Sequence, residues 1–398
     1  MFFAFYFVLV WLVQLFVLLA LPLLVLKAKY KHSLPARFVL WGNAFPQKRI
    51  NFWFHACSLG EVSSLLPLLS RLQDSGRETN VLLTTITKTG HDKAMSLQQA
   101  CGNERLHIFV RYLPFEALLP LWVGDVRKLL VLEAELWLAL FVVAKWRGAQ
   151  TVLLNARISS RSYPKYLRFA WFYAHIFAHI DRVLAQSDSD KDCLQSLGAQ
   201  NVSVAGNLKI LNLPTTQHLF TQPTCPLVVL ASTHKDEESL LFEALRPLYT
   251  DSKKPPFTLL VVPRHPERFD SVWELIQAYF AGHTMARRSA GGMFLESDIV
   301  LADSLGELVE FYAIASVVVL CGSFVPVGGH NPIEVAAFGV PLLSGHAIFN
   351  QIPLFDLVEG YALIEPHELP EKLANIAALS PTCLRKIPDK EQFWTLLK

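Results

Sequence analysis

Several common signatures are missing from this chain. No glycine pair has the spacing of a GxGxxG turn, so a dinucleotide-binding Rossmann site has no support. There is no CxxC and no HExxH. The six cysteines (Cys57, Cys101, Cys193, Cys225, Cys321 and Cys383) are scattered, which fits small apolar filler in a reducing compartment better than a disulfide or zinc framework. Net charge is only +2, so no global argument for nucleic-acid binding follows. Charge is also absent from the whole of residues 1–26, and that absence is informative.

Met1 to Leu26 is apolar apart from Gln14, and Pro22 is its one interruption. It is long enough to cross a bilayer as a helix. A helix lying in the membrane interface is the other reading. Lys27, Lys29, Lys31, His32 and Arg37 follow directly, and by the positive-inside rule they put this end and everything after it in the cytoplasm. A signal peptide would carry positive charge ahead of the apolar run and small residues at a cleavage site, and this one does neither.

At 398 residues, two domains are expected beyond the anchor. The pattern divides the chain into an anchor (1–26), a basic juxtamembrane linker (27–50), a first domain (51–211), a linker with three prolines (212–226) and a second domain (227–398). Within 51–211, apolar runs at Ile50–Ala56, Val81–Thr85, Leu106–Val110, Lys128–Leu132, Thr151–Leu154, Arg182–Ala185 and Val202–Val204 read as strands separated by helical patterns. The second domain repeats this at Leu227–Leu230, Phe257–Val262, Ile299–Leu301, Ser316–Leu320 and Val340–Leu343. Apolar strands alternating with helices predict α/β domains with parallel sheets covered on both faces. Ligands then bind beyond the carboxyl ends of the strands, so the polar residues just after each strand are the candidates.

In the first domain Glu61 enters a helix beside Gly60. With Ser58 it fits a capping box, and as a free carboxylate it fits a general base. Glu133 stands directly against a strand end, where an unpartnered acid costs desolvation. Tyr163 to Ile180 is basic and aromatic, suited either to lipid contact or to packing with snorkelling cations. In the second domain Arg264 and His265 are framed by Pro263 and Pro266, and Arg suits phosphate. The longest glycine-bearing loop runs from Cys321 to Glu334. Its Asn331, Pro332 and Glu334 fit helix capping, and the same helix start fits an anion.

Six stretches taken together resemble the Kdo (3-deoxy-D-manno-oct-2-ulosonic acid) transferase family of lipopolysaccharide synthesis. They are His55–Glu61, Leu132–Trp137, Asn155–Arg157, Ser232–His234, Pro263–Arg268 and Gly328–Glu334. The resemblance runs to about Phe355. It implies a GT-B fold, two Rossmann-like domains facing a cleft, with an N-terminal membrane helix. It implies inverting transfer of Kdo from CMP-Kdo to a lipid A precursor (lipid IVA), with neither metal nor cofactor, on the cytoplasmic side of the inner membrane. The partners would be CMP-Kdo, the lipid A precursor and membrane lipid, and not nucleic acid. By motif, Glu61 would be the general base, and Glu133 and Lys209 would stabilise the transition state. Pro263, Arg264, Leu305, Gly306, Glu307, Asn331, Pro332, Ile333 and Glu334 would hold CMP. Ser232, Thr233, His234, His265, Gly328, Gly329 and His330 complete the set. The family usually has Val at Leu59, Thr at Ala134 and Phe-Asp at Ile210-Leu211. Another nucleotide sugar on the same fold and a non-enzymatic tethered binding protein are the competing readings.

Overall fold

The computed structural model describes residues 2–25, 30–40, 42–159, 162–211, 213–216, 218, 220–250, 255–385 and 389–398. Lys27 and Lys29 of the basic cluster lie outside them. The chain forms two compact units, residues 1–212 with 388–398, and residues 213–387.

The first unit holds seven strands: β1 (Ile50–His55), β2 (Thr79–Thr85), β3 (Leu106–Tyr112), β4 (Val126–Leu132), β5 (Gln150–Ala156), β6 (Arg182–Ala185) and β7 (Val202–Val204). They pair in the order β3-β2-β1-β4-β5-β6-β7, and every pairing is parallel. The strands are apolar on both faces because helices cover both faces. Trp53 and Val131 belong to one core, and Phe54 and Leu130 to the other. The order turns back between β1 and β4, so the loops after these two strands diverge to opposite sides of the sheet. The single helix expected over Val62–Leu72 is two, Leu59–Ser64 and Leu66–Asp74, with Pro67 in the first turn of the second.

The second unit repeats the plan with β8 (Leu227–Thr233), β9 (Thr258–Pro263), β10 (Met285–Arg287), β11 (Ile299–Leu301), β12 (Val317–Leu320), β13 (Leu342–Ser344) and β15 (Tyr361–Leu363). The order is β10-β11-β9-β8-β12-β13-β15, again parallel. Its turning point lies between β8 and β12. The short antiparallel pair β14 (Val358–Glu359) with β16 (Cys383–Leu384) stands apart from this sheet. The strands β10 and β15 escape sequence reading because each is only three half-buried residues long.

Three expected boundaries move. The stretch taken as a juxtamembrane linker is folded into the first unit: buried Asn43 donates to the carbonyls of Ala36 and Tyr112, and Arg37 Nε donates to Leu113 O. The proline-bearing linker is partly claimed by the second unit, where Phe220 stacks on Phe311 at 5.1 Å. The end of the chain leaves the second domain. The helix Lys390–Leu396 places Phe393 and Leu396 in a core of the first unit, and Lys128 Nζ donates to Leu396 O at 2.8 Å.

The N-terminal helix spans Phe2–Leu24. Its stretch Phe2–Pro22 has a mean hydropathy of 2.5, long and apolar enough to cross a membrane. One side is docked on the first unit. Tyr6 Oη donates to the Glu116 carboxylate at 2.9 Å, and Ala117 N donates to Gln14 Oε1 at 3.2 Å. Phe2 packs edge-on to Trp171 and Phe172, and Phe7 stacks on Trp146. Gln14, the one polar residue of the apolar run, is therefore a buried acceptor. The packing reading of Tyr163–Ile180 holds for Phe172, whereas Phe169 and Trp171 remain largely exposed.

Truncating Phe393 to alanine should destabilise the first unit by about 3 kcal/mol through the cavity it opens. Denaturant unfolding followed by first-unit tryptophan fluorescence checks this. An unchanged midpoint would mean the terminal helix is not part of that core.

Candidate active site

In the first unit the three residues assigned to catalysis come together at the turning point of the sheet. Ser58 caps the helix Leu59–Ser64, and Glu61 folds back over the helix start. Ser58 Oγ donates to Glu61 Oε1 at 2.6 Å, and Cys57 N donates to Oε2 at 2.8 Å. The capping expected as one of two readings is thus half met: Ser58 caps the helix by accepting from Glu61 N, but the Glu61 carboxylate returns to Cys57 N and not to Ser58 N. It also fixes a carboxylate at the end of β1. Burial pushes the Glu61 carboxyl above the usual carboxylate range. The Ser58 hydroxyl and the Cys57 N–H pull it back, and the charges of Glu133 and Glu135 add to the rise. A carboxylate so placed is a stronger base than a free one.

Glu133 follows β4 with φ +55°, a backbone conformation that few non-glycine residues adopt. Its Oε1 is 3.6 Å from Lys209 Nζ, and that ammonium also lies over Gly60, 4.0 Å from where a Cβ would be. Lys209 is held from behind. Asn207 Oδ1 accepts from Lys209 N, and Asn207 Nδ2 donates to Gln186 Oε1. Gln186 Nε2 in turn donates to Asn155 O, while Asn155 Oδ1 accepts from Leu208 N. Asn155 and Gln186 thus position Lys209, a role that sequence reading did not give them.

In the second unit the turning point carries a different kind of site. The carboxylate of Glu237, fully buried, accepts four backbone N–H groups: Gly322 and His234 on Oε2, and Ser323 and Phe324 on Oε1. Burial raises its pKa and these four donors oppose the rise. The first N–H groups of the glycine loop are therefore used inside the protein. Gly322 sits at φ +71°, and a Cβ there would lie 2.9 Å from the His330 ring. At Gly328 (φ +113°) a Cβ would meet Asn350. These glycines serve close packing of the loop.

His234 Nε2 and His330 Nε2 are 2.9 Å apart with rings stacked, and His265 meets His234 edge-on. Burial, followed by the neighbouring His234 and Arg264, lowers His330 to about 4, so the pair is neutral at pH 7. Asn331 caps the helix Pro332–Ala336, accepting from Ile333 N and donating to Glu334 Oε1, so the capping reading of this stretch also holds. Burial raises the Glu334 carboxyl, against Asn331 and the charge of Arg264. Pro263 ends β9. The side chain of Arg264 is exposed, and among the described residues it makes no ion pair. Ser232 has φ +60°, and Thr233 Oγ1 donates to Glu238.

Glu238 and Arg268 form a two-pronged buried pair at 2.6 and 2.9 Å that ties this loop to the helix beyond β9. Leu305 is exposed and Gly306 has φ +85°. Glu307 accepts from Ser304 and from two nitrogens of Arg288, at 3.1 and 2.8 Å. Glu237, Arg268 and Arg288 were missed because nothing in a linear stretch marks an acid or base whose partner is tens of residues away.

The comparisons with known proteins follow this geometry. The profile of the family "3-Deoxy-D-manno-octulosonic-acid transferase (kdotransferase)" matches residues 32–212. A 3-deoxy-D-manno-octulosonic acid transferase of Bordetella pertussis is 35% identical over 338 residues, covering 79% of this chain and 76% of that one. The Haemophilus influenzae enzyme of the same name is 30% identical over 359 residues, covering 87% and 82%. The chain belongs to the Kdo transferase family. It is a glycosyltransferase of lipopolysaccharide biosynthesis. Among solved structures, a UDP-GlcNAc 2-epimerase from Neisseria meningitidis aligns with a TM-score of 0.54 at 12% identity, over 87% of this chain and 100% of that one. At that identity the likeness concerns the fold alone. Each unit of this Kdo transferase is Rossmann-like, as the GT-B plan requires.

In Glu237→Gln one side of the carboxylate becomes an NH2 group facing two N–H donors. The second unit should lose about 3 kcal/mol of stability, measured by denaturant unfolding at pH 7. A loss below about 0.5 kcal/mol would show that the loop does not depend on this carboxylate.

Proposed function

We propose that the protein transfers Kdo from CMP-Kdo to a hydroxyl of a lipid A precursor, with inversion at the anomeric carbon. The observation that carries this reading is the cluster of Glu61, Glu133 and Lys209 at the sheet's turning point, in a chain of this family. The acceptor oxygen attacks the anomeric carbon of Kdo and gives its proton to Glu61. The bond from that carbon to the CMP phosphate oxygen breaks, and its electron pair leaves with CMP. The departing phosphate is already acidic, so it needs charge stabilisation more than a proton.

Glu61 suits the base role because burial raises its pKa while Ser58 and the Cys57 N–H hold it in place. Lys209 Nζ, held beside Glu133, offers positive charge to the carboxylate of Kdo or to the developing anion. In the second unit Pro263, Arg264, Leu305, Gly306, Glu307 and Asn331 to Glu334 hold CMP. The exposed guanidinium of Arg264, which makes no ion pair among the described residues, is the natural phosphate ligand. His234 and His330 stand beside it, both lowered by burial, and His265 packs edge-on to His234. No metal or other cofactor takes part in this scheme. The apolar helix anchors the protein in the inner membrane, with the catalytic units in the cytoplasm.

Glu61→Gln should keep the fold and lose transfer by at least about a hundredfold. The assay is CMP-Kdo with lipid A precursor, read by mass spectrometry of the lipid, which also counts the sugars added. CMP should raise the melting temperature of the wild type and the variant alike, and UDP should not. Near wild-type transfer by Glu61→Gln would remove the base assignment. Stabilisation by UDP in place of CMP would point to another nucleotide sugar.

The pH profile gives a separate check. The base must be ionised, so the acid limb of kcat/KM should lie above the ordinary carboxylate range. Ser58 lowers the Glu61 pKa by donating to it, so Ser58→Ala should move that limb to higher pH. A limb that stays in place or moves lower would detach it from Glu61.

A further inference from the structure

The first unit contains a group of ligand atoms that the transfer scheme leaves unused. We propose that His55 Nε2, Cys57 Sγ and one oxygen of Glu135 form a binding site for a thiophilic divalent cation such as zinc. The three ligand atoms lie within 4.8 Å of one another, and His55 and Cys57 are buried. His55 and Cys57 come from the end of β1, and Glu135 from the turn after β4. The site thus straddles the point where the strand order turns back.

The tautomer of His55 is set by its surroundings. Its Nδ1 is 3.2 Å from Thr84 O and 3.0 Å from Thr84 Oγ1. A carbonyl can only accept. Thr84 Oγ1 itself accepts from Trp53 Nε1 and gives its proton to Phe54 O. Nδ1 must therefore carry the hydrogen, which leaves the lone pair on Nε2, facing Cys57 Sγ at 3.4 Å. A histidine whose far nitrogen donates to a backbone carbonyl is the usual supported metal ligand. Zinc bonds of about 2.1 Å to nitrogen and about 2.3 Å to sulfur, at a tetrahedral angle, place those atoms roughly 3.5 Å apart. The resting distance already matches.

Glu135 has its own support, since Trp137 Nε1 donates to Oε2 at 2.7 Å. Its side chain is half-buried. When the ion enters, the Cys57 thiol releases its proton to solvent, and metal–sulfur, metal–nitrogen and metal–oxygen bonds replace the Sγ–H···Nε2 contact. The ion would clamp the end of β1 to that of β4.

The test uses the full-length protein in detergent, stripped with chelator and titrated anaerobically with Co2+. One equivalent should produce a thiolate-to-cobalt charge-transfer band with tetrahedral ligand-field bands, and Zn2+ should abolish both. The melting temperature should rise with the ion. Cys57→Ser should remove the thiolate band, and Cys193→Ser, at a half-buried cysteine elsewhere, should keep it. Glu135→Gln, at a half-buried position that preserves the fold, should weaken binding by about tenfold or more. No thiolate band in the wild type, a band that survives Cys57→Ser, or unchanged affinity in Glu135→Gln would each overturn the proposal.

Discussion

A parallel sheet whose strand order turns back must send the connections on either side of the turning point to opposite faces. Between the two diverging loops lies the one place along the sheet's carboxyl edge that is not roofed by its own crossovers. Both units of this chain depend on that constraint. In the first it falls between β1 and β4, in the second between β8 and β12. Glu61 and Glu133 follow β1 and β4, and Ser232 to His234 close β8, whereas Lys209, Arg264 and Glu307 follow β7, β9 and β11.

The two turning points use buried acid differently. In the second unit Glu237 is spent on structure, its oxygens saturated by four N–H groups so that a glycine loop holds one conformation. In the first unit Glu61 receives one hydroxyl and one N–H, and Glu133 faces Lys209 at 3.6 Å, looser than a close ion pair. A carboxylate with lone pairs left over can accept a proton from a substrate. One with four donors is locked. The difference between a structural and a chemical acid here is the number of donors each one meets.

The apolar N-terminal helix is tied to the same unit that carries Glu61. Tyr6 reaches the half-buried Glu116, whose carboxylate also accepts from Ala139 N. Burial raises the Glu116 carboxyl against those hydrogen bonds. The anchor is therefore a packed element of the first unit. The apolar helix and Glu61 therefore belong to one folded unit.

Much of this was legible in the linear chain. Apolar runs of strand length, broken by helical patterns, impose parallel sheets covered on both sides, because a strand with no polar face must be buried twice over. The residues just beyond those runs, Glu61, Glu133, Arg264 and Asn331 among them, follow from the same rule. Short local hydrogen bonds such as the Ser58 cap to Glu61 and the Asn331 cap were readable too, since they span at most three positions. What the chain could not disclose was every partnership across distance. Glu237 with Gly322, Glu238 with Arg268, Glu307 with Arg288, and Cys57 with Glu135 join residues whose separation in sequence carries no pattern. The terminal helix joins the first unit, where Phe393 and Leu396 are buried in its core. Burial and hydrogen-bond satisfaction are properties of the assembled body, so the tertiary structure alone decided which acids are locked and which remain free.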